Sequence, residues 1–119
     1  MNNENEIIVD RYAHQYYIHS KHRRWLIDYM VKICYEEANT LGVKINKVVL
    51  RMRVDPEKNL DTPVIEVFTD LSIEESFKLF DNIYNAMDIW ESDLSLVDQS
   101  EVNEIAVFVE PAMPSTTDC

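Results

Sequence analysis

The chain has 119 residues, 46% of them hydrophobic and 28% charged, with a net charge of −11. Such a length holds one core that buries about two-thirds of the unfolded surface, and the composition excludes a disordered or low-complexity chain. A lone glycine, Gly42, excludes glycine-rich phosphate loops, and no apolar run approaches the ~20 residues that span a bilayer.

The polar start, Met1-Asn2-Asn3-Glu4-Asn5-Glu6, lacks the cationic and apolar regions of a secretory leader, so a soluble cytoplasmic protein is expected. Glu6-Ile7-Ile8-Val9 and Tyr16-Tyr17-Ile18 are both β-prone and either can supply a strand before the first helix. Over residues 20–41, Trp25, Leu26, Tyr29, Met30, Ile33, Cys34, Ala38 and Leu41 recur at helical steps, with charged residues on the other face. Ser20 suits the N-cap of this amphipathic helix and Gly42 a left-handed C-cap. Cys34 is expected as a small buried hydrophobe and Cys119 as an exposed thiol, with no disulfide between them.

Between residues 44 and 54 the period changes to two. Val48, Leu50, Met52 and Val54 take one face of a strand, and Lys47, Arg51 and Arg53 the wet one. A polar loop over 55–63, bounded by Pro56 and Pro63, leads to a second strand at 64–69, and the two strands form a hairpin. Glu66 is placed to make a cross-strand ion pair on the Arg51 and Arg53 side.

Ser72-Ile73-Glu74-Glu75 has the form of a capping box and starts a second helix. Its expected core stripe is Ile73, Phe77, Phe80, Ile83, Tyr84, Met87 and Trp90. Residues 91–101 form an acidic connection, and 104–110 a last strand with Ile105, Val107 and Val109 on one face and Ala106 and Phe108 on the other. The elements predict a single α+β domain over residues 1–110, with a disordered tail at 111–119. The expected architecture is a two-layer sandwich with two helices on one face of an antiparallel sheet, in the ferredoxin-like order βαββαβ. The alternative is αββαβ, with Tyr12, Tyr16 and Tyr17 on an extended first helix.

Nine of the eleven Lys and Arg residues precede Asp55, whereas sixteen of the twenty-two Asp and Glu residues lie at or after it. The first part is therefore basic, the second strongly acidic. The overall charge argues against nucleic acid as the main ligand, since the summed field repels a phosphate backbone. Lys21, His22, Arg23 and Arg24, joined by Lys47, Arg51 and Arg53, offer a basic patch for an acidic partner. The acids after Asp70 offer the converse, a dock for a basic protein or a nucleic-acid mimic. Asp10, His14, His19 and His22 have helical spacings a metal could use, but no second Cys or His cluster completes a shell, so no metal and no cofactor is expected. No nucleophile with its base, paired acids or oxyanion loop is identifiable, which leans away from an enzyme.

The reading that results is a small acidic, non-enzymatic protein-interaction or regulatory domain that associates with another protein, including its own copies. Its expected interaction surface is Tyr12, Tyr16, Tyr17, Arg23, Arg24, Arg51 and Arg53. A regulatory domain holding a small ligand between sheet and helices is the alternative.

Overall fold

A computed structural model describes residues 6–55, 57 and 60–112. The expected tail falls outside them from residue 113 onward, as do Cys119 and the polar start up to residue 5. The order of elements is β1 (Ile8–Val9), α1 (His14–Ile18), α2 (Lys21–Leu41), β2 (Ile45–Asp55), β3 (Leu60–Thr69), α3 (Ile73–Glu91), α4 (Leu96–Asn103) and β4 (Ala106–Glu110). The class is thus mixed α+β, with four α-helices and an open four-stranded sheet among the described residues.

In the stretch before α2 the first of the two β-prone segments supplies the strand and the second does not. Ile8 and Val9 make a two-residue strand, while Tyr16 and Tyr17 are helical. Asp10 ends the strand because its carboxylate accepts from the Tyr12 amide at 3.4 Å and starts a 3-10 turn over Arg11–Ala13. Ser20 then breaks the helix. At φ −150° and ψ 154° it is extended, and its hydroxyl accepts from the Arg23 amide at 3.0 Å, so α2 begins afresh. At the other end Gly42 adopts φ 74°, and its amide reaches back to the Ala38 and Asn39 carbonyls.

The strand order is β1-β2-β3-β4. The β2–β3 hairpin is antiparallel, but β1 runs parallel to β2 and β4 parallel to β3. The fully antiparallel sheet is therefore corrected: the chain order βαββαβ holds with two further short helices, but the strand order is partly parallel, and each helical crossover returns the chain to the strand adjacent to the one it left. The result is two β-α-β units joined by the hairpin. Strand β3 also begins earlier than the loop over 55–63 implied and runs through Pro63. The missing amide is tolerated because the β3–β4 ladder starts only at Val64↔Ala106.

Helices α2 and α3 pack side by side over one face of this sheet. Leu26, Ile27, Met30, Val31 and Cys34 of α2 and Leu79, Ile83 and Met87 of α3 share a core with Val48, Leu50, Ile65, Val67 and Val107. The stripe on α3 differs from expectation in part, since Ile83 and Met87 are buried as expected and Phe80, Tyr84 and Trp90 are half-buried. Ser76, Leu79, Ile83 and Met87 are its buried positions, whereas Phe77 is 63% exposed and Ile73 is exposed as well. Ser76 enters the core without penalty by donating its hydroxyl to the Ile73 carbonyl at 2.7 Å. The acidic connection contains a further helix, α4, whose N-cap Ser95 accepts from the Asp98 amide. No described helix is long and apolar enough to cross a membrane.

Candidate functional site

Alternation along β2 sends Val48 and Leu50 into the core and Lys47, Val49, Arg51 and Arg53 to the opposite face, which no described helix covers. Register across the strands then determines which side chains meet there. Ile8, Val49, Glu66 and Phe108 form one row, Arg51, Val64 and Ala106 the next, and Lys47, Phe68 and Glu110 the row on the other side. The outer face therefore carries three cations on β2, and carboxylates and phenyl rings on β3 and β4.

Long side chains lie down across these rows. The Lys47 ammonium sits 4.8 Å from the Phe68 ring centre and the Arg53 guanidinium 5.6 Å from that of Phe108. Arg51 Nε lies 3.3 Å from Glu66 Oε1, the cross-strand pair the spacing predicted. Its N–H is not aligned on that oxygen, so the contact is an ion pair without a hydrogen bond. Under this cover Val64 is only 2% exposed and Glu66 only 6%, although both point away from the helices. A carboxylate so enclosed is retained because the guanidinium offsets its desolvation.

The α1–α2 side gathers the other expected residues. The Arg23 guanidinium stacks 4.2 Å from the Tyr16 ring centre, with its Nε 3.3 Å from Glu101 Oε2 of α4. The Tyr17 hydroxyl donates to Asp28 Oδ1 at 2.6 Å. Burial pushes both phenols up to about 12. For Tyr17 the bond to Asp28 and its charge add to this; for Tyr16 the charges of Glu101 and Glu104 add and Arg23 opposes. Tyr17, Trp25, Asp28, Tyr29 and Lys32 line a shallow surface concavity of about 390 Å³ together with Ile7. Trp25, expected in the core, is 49% exposed there and stacks on His22.

Tyr12 stands exposed on the 3-10 turn and Arg24 is exposed on α2. Arg51 and Arg53 are separated from Arg23 and Arg24 by the sheet, so the seven positions form two surfaces. Lys47, expected in the basic patch, and Glu66, expected as the cross-strand partner, complete the outer sheet face with Phe68 and Phe108, which were not expected there. Their alternation was visible in each strand; their adjacency depends on a register that no local signal carries.

His22 Nε2 meets Asp98 Oδ1 at 2.7 Å, and no group of three or more His, Cys, Asp or Glu converges among the described residues. Cys34 is fully buried, and burial pushes its thiol up to about 12. Between sheet and helices, where a small ligand was the alternative, Leu26, Met30, Leu50, Ile65 and Ile83 are themselves fully buried. What fold and site define is an α+β domain with one sheet face covered by helices and the other faced with cations and rings. Compared with family models, curated proteins and solved structures, the chain matches none.

Proposed function

We propose that this chain is a non-enzymatic protein-interaction domain and that the outer sheet face is its contact surface. The observation that carries the reading is the uncovered sheet. Lys47, Arg51 and Arg53 stand on it beside Phe68, Phe108, Ile8 and Val49, in a chain whose charge is otherwise strongly negative. Aromatic rings and arginines are the groups that dominate protein interfaces, and a local cationic patch selects acidic partner surfaces. Nucleic acid is disfavoured by the net charge of −11.

Affinity capture from the native host tests this, with wild type, Arg51→Glu/Arg53→Glu on the outer face, and Leu96→Ser on exposed α4 as a control. Wild type and the Leu96 variant retain a protein partner through nuclease treatment, and the charge-reversed variant loses it. A retained set unchanged by reversing both arginines refutes the assignment of the face.

A further inference from the structure

We infer that the occupant of the outer sheet face is a second copy of this chain, related by a two-fold axis that lies along the strands above the β2–β3 boundary. This deepens the interaction reading and rests on it.

Charge is divided across the face by strand. Its cations, Lys47, Arg51 and Arg53, all belong to β2; its carboxylates, Glu66 and Glu110, and its rings, Phe68 and Phe108, belong to β3 and β4. The line between the two sets is the middle of the sheet. Rotation by half a turn about that line lays β2 of one copy on β3 of the other and β1 on β4. Lys47 then faces the partner's Phe68, Ile8 faces the partner's Phe108, and Arg51 comes within side-chain reach of the partner's Glu66. Each contact occurs twice, as an isologous interface requires, and the operation closes at two chains. Aligned sheets pack about 10 Å apart with a rotation near −30°, so these oppositions hold by row rather than atom by atom.

Area and field both allow it. The four strands contain 28 residues, from 2, 11, 10 and 5 in β1 to β4. At about 3.3 Å rise and 4.8 Å spacing they project roughly 440 Å², which side-chain relief brings toward the ~600 Å² per partner of the smallest specific interfaces. A reversible dimer is the consequence. The acidic helices α3 and α4 lie beyond the sheet from the interface, farther than the ~10 Å over which 0.1 M salt lets charges act, so their mutual repulsion is screened while the contacting pairs are not.

Sedimentation velocity across a dilution series tests the dimer, with circular dichroism confirming that each variant is folded. Wild type shifts from one chain mass of 14.0 kDa toward twice that value as concentration rises. Arg51→Glu/Arg53→Glu and Glu66→Lys/Glu110→Lys each sediment as monomers, and an equimolar mixture of the two restores a one-to-one dimer. Val49→Glu, which leaves Arg51 in place but sets a carboxylate beside Glu66 of its own chain and against that of the partner, is monomeric alone. A wild type that stays monomeric up to about 1 mM overturns the inference, as does a dimer that survives both Arg51→Glu/Arg53→Glu and Val49→Glu. A mixture that stays monomeric overturns the two-fold arrangement. If wild type is monomeric while capture from the host still depends on Arg51 and Arg53, the dimer falls and the interaction reading stands.

Discussion

Replacing Phe77 and Leu79 separately by alanine measures which stripe of α3 holds the fold. Leu79 is fully buried between α3 and the sheet, and Leu→Ala at such a site costs about 2–5 kcal/mol, a transfer term plus a cavity term. Phe77 is 63% exposed, so about a third of its surface is out of water. Scaled from the ~1.5–3 kcal/mol of a fully buried side chain, that contributes roughly 0.5–1 kcal/mol. Alanine returns about half a kcal/mol in helix propensity, so the net cost of Phe77→Ala is under about 0.5 kcal/mol. Urea unfolding separates the two cases: with a slope near 1–3 kcal/mol per molar, Leu79→Ala lowers the midpoint by about 1 M or more and Phe77→Ala by a small fraction of that. Had Phe77 been in the core, its loss would cost ~3–5 kcal/mol. A midpoint shift for Phe77→Ala equal to or larger than that for Leu79→Ala refutes the stripe and the orientation of α3 with it.

Further outcomes follow from single groups. Tyr84 of α3 donates its hydroxyl to the Val107 carbonyl at 3.2 Å and accepts from the Val107 amide at 3.0 Å, covering the free edge of β4. Tyr84→Phe therefore costs about 1–2 kcal/mol and speeds amide exchange at Val107; unchanged exchange there disproves the cover. Burial keeps Cys34 protonated to about 12, so in a Cys119→Ser background its reaction with a disulfide reagent at neutral pH proceeds no faster than unfolding. Rapid modification of the folded chain would contradict that burial. Tyr17 is raised from 10.0 to about 12 in the folded chain, so the unfolded state loses its proton first. The stability is fully present below pH 10.0 and is lost as pH rises toward about 12. Tyr17→Phe flattens this alkaline decline, leaving the parts due to Tyr16 and Cys34; an identical decline in thermal midpoint rules out the assignment.

Local chemistry made the helix ends legible. Ser20 and Gly42 bracket α2, and Ser72 with Glu75 forms the capping box of α3, because each acts within a few residues of chain. The two faces of β2 were legible for the same reason. The buried stripe of α3 was legible at Ile83 and Met87 but not at Ser76 and Leu79, since the line through Ile73, Phe77, Phe80 and Tyr84 and the line through Ser76, Leu79, Ile83 and Met87 are both read at helical steps about 100° apart. Both look inward until a sheet is present to choose between them, and the self-satisfied Ser76 hides the true one. Helix α4 escaped because Val102 is its one buried residue and its first turn exposes Leu96 and Val97, so no amphipathic pattern marks it. Parallel pairing of β1 with β2 and of β3 with β4 spans whole crossovers, and the outer face of Lys47, Arg51, Glu66, Phe68 and Phe108 exists only once that order is known.

The uneven charge acquires a physical role from this topology. Its boundary at Asp55 coincides with the end of β2, where the hairpin divides the chain into two β-α-β units. The basic unit and the acidic unit then dock along β2–β3 and α2–α3. Arg23–Glu101 and Arg51–Glu66 each join a cation of the first unit to an acid of the second, and His22 Nε2 meets Asp98 Oδ1 between the same two units. Such partly exposed pairs contribute at most about 1 kcal/mol apiece, so the driving force for docking is the shared core of Leu26, Met30, Leu50, Ile65 and Ile83. What the pairs add is direction. Two of the three pin α2 to α4, and the third crosses the hairpin on the outer face, where Lys47 and Arg53 rest on phenyl rings instead of carboxylates. A cation over a ring gives up less on meeting a new carboxylate than one already in an ion pair. On the outer face, two of the first unit's three cations are thus held over rings rather than against carboxylates.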